Sequence, residues 1–185
     1  MKASGRLVAA LFLSLTTISQ ISLADPHRIG IGIQYWGDTK SIDTDFKPDG
    51  LSYLASYQFV PSDLFRLEAD IEILPPGLTD GNTVYIPQVY AILGDTLYAG
   101  LGVGMVYDSD ELTGNTSGNT GIQAGNQEVA EFKDGQHYNI RIGLDVPFSS
   151  IHIDINANYR FTKFDELSDF DGDRIQVGLL GRYEF

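Results

Sequence analysis

The chain has 185 residues and no cysteine, so it has room for one domain and cannot contain a disulfide or a thiolate metal site. Its 25 acidic residues outnumber its 12 lysines and arginines, and the formal net charge at pH 7 is −13. Because phosphate backbones repel such an acidic chain, the composition argues against nucleic acid as a partner.

The first 24 residues have the three parts of a secretory signal. Lys2 and Arg6 form a basic start, residues 7–18 form an apolar run, and Ser22 and Ala24 are the small residues of a cleavage site. The apolar run is shorter than the roughly 20 residues that a membrane-spanning helix needs. We therefore predict a signal peptide over residues 1–24, cleaved after Ala24, and a mature domain over residues 25–185.

Eight segments of the mature part alternate between apolar and polar residues with a period of two. In the first segment Ile29, Ile31, Ile33 and Tyr35 share one face, and glycine and polar residues share the other. This is the pattern of a β-strand between two different environments. The fourth segment is the least regular, since Pro87 interrupts it and both of its faces are partly apolar. The predicted strands are 28–36, 51–59, 65–73, 83–93, 97–107, 138–146, 151–161 and 175–185.

The connections between these strands alternate strictly in length. Short turns are expected at 61–63, 94–96 and 147–150, and long polar loops at 37–50, 75–82, 108–136 and 162–173. Bacterial membrane barrels have short periplasmic turns and longer external loops, whereas a β-sandwich has no reason to sort its loops in this way. The sequence therefore predicts an all-β fold, an eight-stranded antiparallel up-and-down transmembrane β-barrel.

The polar face carries charges of both signs in the middle of the strands, and the apolar face carries almost none. A narrow lumen favours such a balance, because unpaired buried charges cost several kcal/mol. An eight-stranded lumen is only wide enough for side chains, so we expect these charges to fill it and to prevent general diffusion. Arg28 lies on the same face. The predicted lumen network consists of Arg66, Glu68, Asp70, Glu72, Arg141, Asp145, Asp154, Arg160, Arg182 and Glu184.

Aromatic residues gather near the ends of the apolar face. Rings at these positions are typical of the two interfacial girdles of a membrane barrel. Strand propensity alone also enriches aromatic residues, but it does not explain the absence of charge from the same face. The predicted girdle residues are Tyr35, Tyr53, Phe59, Phe65, Tyr107, Tyr138, Phe161, Tyr183 and Phe185.

The segment 178–185, Gly-Leu-Leu-Gly-Arg-Tyr-Glu-Phe, carries a resemblance to a known family. With the strand pattern, it resembles the small outer-membrane barrels typified by OmpX and the OmpA membrane domain. Tyr183 and Phe185 match the aromatic positions of that family's assembly signal, whereas Leu180 stands where a glycine is usual. The resemblance implies the outer membrane of a Gram-negative bacterium, with outer-membrane lipid, lipopolysaccharide and the barrel assembly machinery as partners. It implies a monomer and no cofactor.

The residues suited to chemistry form no recognised catalytic or metal motif. We expect His27 to be solvated, His137 to lie at the rim beside a long loop, and His152 to face the lumen. Acidic residues cluster in the loops at 38–49, 108–111 and 169–173, but their spacing does not match a calcium-binding loop. We interpret them as solvated charges, while divalent ions could also bridge them to lipopolysaccharide phosphates.

The prediction is a non-enzymatic outer-membrane barrel whose long external loops serve surface interaction or envelope integrity. Two alternatives stay open. One is an outer-membrane enzyme that modifies lipid, centred on His137 or the rim. The other is a soluble exported barrel that binds a small apolar ligand, which would require the apolar face to point inward.

Overall fold

The computed structural model describes residues 26–36, 50–79, 82–108, 122–124, 127–129, 135–168, 170 and 172–185. The predicted signal peptide lies outside the described residues, as do most of the expected loops 37–50 and 108–136. Cleavage after Ala24 therefore stays a prediction.

Eleven strands follow one another along the described chain. Their bounds are β1 (His27–Trp36), β2 (Leu51–Ser62), β3 (Phe65–Leu74), β4 (Val84–Gly94), β5 (Leu97–Met105), β6 (Tyr107–Asp108), β7 (Ile122–Ala124), β8 (Gln127–Val129), β9 (Gln136–Phe148), β10 (Ile151–Phe161) and β11 (Ile175–Glu184). Short 3-10 turns at Phe164–Ser168 and Gly172–Arg174 lie between β10 and β11. Within the described parts of the chain, no helix is long and apolar enough to cross a membrane.

The eight long strands close into an antiparallel barrel. Each pairs with its neighbours in the order β1-β2-β3-β4-β5-β9-β10-β11, and β11 returns to pair with β1. At this seam Ile29 lies opposite Tyr183, and the backbone N–H of Phe185 donates to the carbonyl of His27 at 2.9 Å. The predicted eight-stranded up-and-down barrel is confirmed. Closure removes the free sheet edges, which is the condition for a β-structure to span lipid.

Two strands are longer than the alternation predicted. β2 continues to Ser62 and β9 to Phe148, where the expectation was Phe59 and Val146. The hydrogen-bonded ladder persists beyond the apolar pattern, because Phe148 still pairs with Ile151 and leaves only residues 149–150 for the turn. The apolar–polar alternation of the side chains thus ends before the hydrogen-bonded strand does.

The two faces of the wall have opposite character. Outward residues such as Ile31 and Leu97 are 77% and 72% exposed, whereas the inward Arg141 and Glu72 have no exposed surface. A water-soluble barrel shows the reverse arrangement, with apolar residues inside. The alternative of a soluble barrel holding an apolar ligand is therefore wrong, because its interior would have to accommodate that ligand among charges.

The arrangement of β4 explains why its alternation of apolar and polar residues is the least regular of the eight segments. Ile86, Tyr90 and Ile92 point into the barrel, and Pro87 and Val89 point out. Both faces of this strand are apolar because the lumen is not polar throughout. Near the loop-side end it is closed by a buried apolar cluster composed of Trp36, Leu74, Leu78, Val84 and Ile86.

This apolar cluster also involves the connection between β3 and β4. Leu78 belongs to that connection and is fully buried, and its N–H donates to the carbonyl of Pro75 at 2.9 Å. The described first part of this loop, residues 75–79, therefore folds over the lumen rather than standing away from it.

Glycines on inward positions make room for large rings. A Cβ atom on Gly102 would lie 2.4 Å from the Cδ1 and Cε1 atoms of Tyr90, and one on Gly143 would lie 2.5 Å from the hydroxyl of Tyr98. Because real Cβ atoms do not approach other atoms so closely, these positions admit only glycine while the rings stay in place. Two tyrosines thus fit into a lumen that charged side chains already occupy.

Candidate functional site

The lumen is where the chemically distinctive residues of the described chain converge. Five arginines and six acidic residues face into it, and all except Glu184 are buried, with no more than 8% of the residue exposed. Alternate positions of the strands supply them, and most of the ion pairs reach across the interior between strands that are not neighbours. They form three layers, here named turn-side, middle and loop-side.

The turn-side layer lies near the short turns and is centred on Asp145. Arg28 contacts both acids of this layer, with Nη1 at 2.9 Å from Asp145 Oδ2 and Nε at 2.8 Å from Glu184 Oε2. Arg66 donates to the same Asp145 oxygen. The ring of His152 bridges the two acids, with Nδ1 at 3.0 Å from Asp145 and Nε2 at 3.3 Å from Glu184. The layer is thus a closed ring of polar contacts.

The middle layer is the most deeply buried. Arg141 donates to Glu68 and, at 2.9 Å, to Asp70, and both partners have no exposed side-chain surface. Arg182 lies 2.9 Å from Glu68 and 3.0 Å from Asp154. Two cations and three acids therefore share one network. Such a network tolerates burial only because each charge has a close partner.

The loop-side layer gathers around Glu72. This carboxylate accepts hydrogen bonds from the indole Nε1 of Trp36 at 2.5 Å, from the hydroxyl of Ser52 at 2.5 Å and from Arg160 at 2.8 Å. Gln88 contacts it more weakly, at 3.3 Å. Above this layer lies the apolar cluster that closes the lumen.

Three of the arginines also lie over aromatic rings. The guanidinium carbon of Arg141 is 3.7 Å from the ring centroid of Tyr90, and that of Arg160 is 4.5 Å from the centroid of Trp36. Arg66 lies 4.7 Å from the centroid of Tyr98. Each guanidinium is thus held between a carboxylate and a ring face, two favourable contacts that use different parts of the group.

The structure brings together all ten residues of the predicted lumen network and adds others. Arg28 and His152 complete the turn-side layer. The neutral polar residues were not predicted as part of the network, because sequence reasoning counted charges alone. Their inward position in the alternation was the available signal. They are Gln34, Ser52, Ser56, Gln58, Gln88, Asn139, Asn156, Asn158 and Gln176.

The surroundings of two of the three histidines differ from those that the sequence predicted. His137, the second residue of β9, lies beside the long loop as expected, but its ring is fully buried and faces Gly104 inside the barrel. His27 is not simply solvated, because its ring lies 5.4 Å from that of Phe59 and its Nδ1 lies 2.7 Å from the Tyr57 hydroxyl. His152 faces the lumen, as the alternation predicted.

Tyr183 and Phe185, the predicted assembly residues, lie on the outer face at the seam. They are 54% and 62% exposed. The Phe185 ring stacks on that of His27 with centroids 5.9 Å apart. Their role in assembly stays a prediction.

The acidic loop clusters fall mostly outside the described residues, including Asp169 and Asp171. Among the residues that the structure does describe, no group of three histidine and acidic side chains is arranged to hold a metal ion. The lumen itself offers no open coordination site of this kind, because its carboxylates are occupied by arginines.

Comparison with known proteins gives structural neighbours of low sequence identity. No family model and no curated protein matches the chain. The N-terminal β-barrel domain of Pseudomonas aeruginosa OprF is 11% identical, with a TM-score of 0.49, over 87% of this chain and 98% of that one. The Yersinia pestis outer membrane protein Ail is 15% identical, with a TM-score of 0.46, over 87% and 99%. Neisserial surface protein A is 11% identical, with a TM-score of 0.42, over 86% and 94%.

The architecture is decided by the chain's own geometry. Eight long strands, a closed seam, an apolar outer wall and a charged interior occur together, and these eight strands have 9 to 13 residues, enough to cross a hydrocarbon layer at a tilt. The chain has the architecture of the small eight-stranded outer-membrane β-barrels.

Proposed function

We propose that this protein is a non-enzymatic outer-membrane barrel that does not conduct solutes, and that its external loops serve surface interaction or envelope integrity. One observation carries the proposal: the interior is filled by the chain's own charged side chains in three layers. A pore needs a continuous water path, whereas Arg141, Arg182 and Glu68 are fully or almost fully buried at mid-height. The protein then acts through its outer surface.

The buried network supports a structural rather than a catalytic role. Reactive groups need access to substrate, and the layers hold their carboxylates in ion pairs with arginine. The lipid-modifying alternative was centred on His137 or the rim, and His137 is buried inside the barrel and not displayed to lipid. Of the described residues, none favours that enzyme over the structural role.

The proposed partners follow from the proposed location in the outer membrane. We propose that outer-membrane lipid and lipopolysaccharide surround the apolar wall, that the barrel assembly machinery recognises Tyr183 and Phe185, and that the protein works as a monomer. The outward exposure of both aromatic rings supports their availability to the machinery during insertion.

Planar-bilayer recording tests the proposal directly. The purified barrel, reconstituted and checked for heat-dependent gel mobility, should give no large, stable conductance. A variant in which Arg141 and Arg182 are both replaced by serine, R141S/R182S, serves as the comparison, because shortening both side chains opens the middle layer. Stable openings of the unmodified barrel would overturn the proposal. Openings of the variant alone would locate the barrier in the middle layer.

A further inference from the structure

The connection between β10 and β11 does not project from the barrel but folds back against its outer wall. Phe170 stacks on Tyr159 with centroids 4.9 Å apart, and Phe164 lies 4.8 Å from Tyr138 and 5.5 Å from Phe161. Tyr159 and Phe161 stand at outward positions of β10, yet they are only 7% and 3% exposed. The loop covers them.

One carboxylate fixes the shape of this loop. Glu166 accepts hydrogen bonds from the backbone N–H of Thr162 at 3.1 Å and from its hydroxyl at 2.7 Å, and it also pairs with Arg174 near the start of β11. The hydroxyl of Ser168 donates to the carbonyl of Asp165 at 2.7 Å. Glu166 thus joins the two ends of the connection, and the apolar side chains between them are held in place.

These fixed side chains leave a large apolar surface uncovered. Phe164 and Phe170 are 66% and 67% exposed, and Leu167 is 39% exposed. Phe164 and Leu167 are three residues apart in a 3-10 turn, which places them on the same side. An exposed patch of this kind marks a contact surface.

We propose that Phe164, Leu167 and Phe170, here named the loop foot, insert into the outer leaflet of the membrane that surrounds the barrel. The foot is continuous with the lipid-facing wall, because Phe170 stacks on Tyr159 and Phe164 contacts Phe161 edge-on. It lies at the end of the strands where aromatic rings sit at the lipid–water boundary. Lipid rather than protein is the occupant because the wall beside the foot is already apolar.

Single cysteines test the depth of the foot, since the chain has no cysteine of its own. Phe164→Cys, Leu167→Cys and Phe170→Cys are labelled with an environment-sensitive fluorophore in phosphatidylcholine vesicles. Asp165→Cys is the matched control, exposed on the same turn. The probes are a lipid with a nitroxide near the top of its acyl chain and iodide in the water. Each variant is first checked for heat-dependent gel mobility.

The expected result is blue-shifted emission and preferential nitroxide quenching at the three foot positions, with iodide quenching dominant at Asp165→Cys. Equal iodide quenching at all four positions would overturn the inference and leave the foot as a surface for a protein partner. The inference rests on the proposed membrane location, which Leu101→Cys in the middle of the wall tests separately with a second lipid that carries its nitroxide near the end of the acyl chain. Nitroxide quenching at Leu101 without quenching at the foot would contradict only the insertion of the loop foot. An absence of nitroxide quenching at Leu101 would contradict the proposed membrane location of the barrel.

Discussion

Arg141 is the residue on which most of the middle layer depends. It pairs with Glu68 and Asp70, donates to Asn158 at 2.8 Å and lies over the ring of Tyr90. Arg141→Ala leaves two acids beside each other in a buried site. We expect this change to lower the free energy of unfolding by about 3–5 kcal/mol, the cost of breaking a buried ion pair by removing one partner. Urea titration of the barrel in vesicles measures the loss.

Arg174→Ala is the control for this prediction. It removes an arginine of the same size from a pair with Glu166 whose two side chains are 29% and 22% exposed. A pair that water reaches contributes only about 0–1 kcal/mol. If the two variants lose similar stability, the middle layer does not act as a connected network.

Gly102 and Gly181 give a matched test of lumen packing. An added methyl group on Gly102 meets the Tyr90 ring at 2.4 Å, whereas one on Gly181 meets nothing within 4 Å. We expect Gly102→Ala to destabilise the barrel by about 1–3 kcal/mol through overpacking, and Gly181→Ala to have almost no effect. Urea titration of the two variants side by side decides this. A large loss at Gly181 would mean that glycine acts there through the backbone instead of through space.

At the scale of elements, the loop between β10 and β11 is expected to depend on pH. Burial raises the pKa of Glu166, but hydrogen bonds from Thr162 and the interaction with Arg174 outweigh it, so the pKa lies below its ordinary value of 4.5. A carboxyl whose pKa is lowered by folding stabilises the folded loop above the ordinary value. That contribution disappears as the pH falls through the lowered pKa.

Amide hydrogen exchange over residues 162–168 measures this effect. Protection should be greatest at neutral pH and should decrease as the pH falls from 4.5 through the lowered pKa of Glu166, while the barrel strands stay protected. Glu166→Gln loses the charge, so its loop should be less protected at neutral pH and should show little further change in acid. A variant that keeps the full acid response would show that another group is responsible.

The alternation of side chains predicted the elements because the wall separates two media along its whole height. The pattern fails wherever the inside is not polar, as in β4, or where hydrogen bonding outlasts the side-chain pattern, as at Phe148. The sequence could not predict which charged side chains pair with each other inside the lumen. Arg66 reaches Asp145 and Arg141 reaches Glu68 across the interior, and such pairs depend on the tilt and stagger of the closed barrel. The sequence predicted only a polar loop between β10 and β11, and not one that folds back against the outer wall.

At the scale of the whole molecule, the charged interior and the apolar outer wall are each stable under one particular condition. The apolar wall is stable only in lipid, and the charged interior is stable only when the closed barrel brings its layers together. Neither condition holds before closure, since Arg28 meets Asp145 across a separation of 117 residues. Closure and lumen pairing should therefore occur in one step.

Trp36, the one tryptophan of the chain, reports on the assignment of the two faces. Its indole is 2% exposed, donates to Glu72 and lies beneath Arg160 inside the barrel. In vesicles of brominated lipid, which quench tryptophan on contact, the emission of the folded barrel should be quenched weakly, and aqueous acrylamide should also have little effect. Strong quenching by brominated lipid would place Trp36 outside and reverse the faces, whereas strong quenching by acrylamide would mean that water fills the lumen.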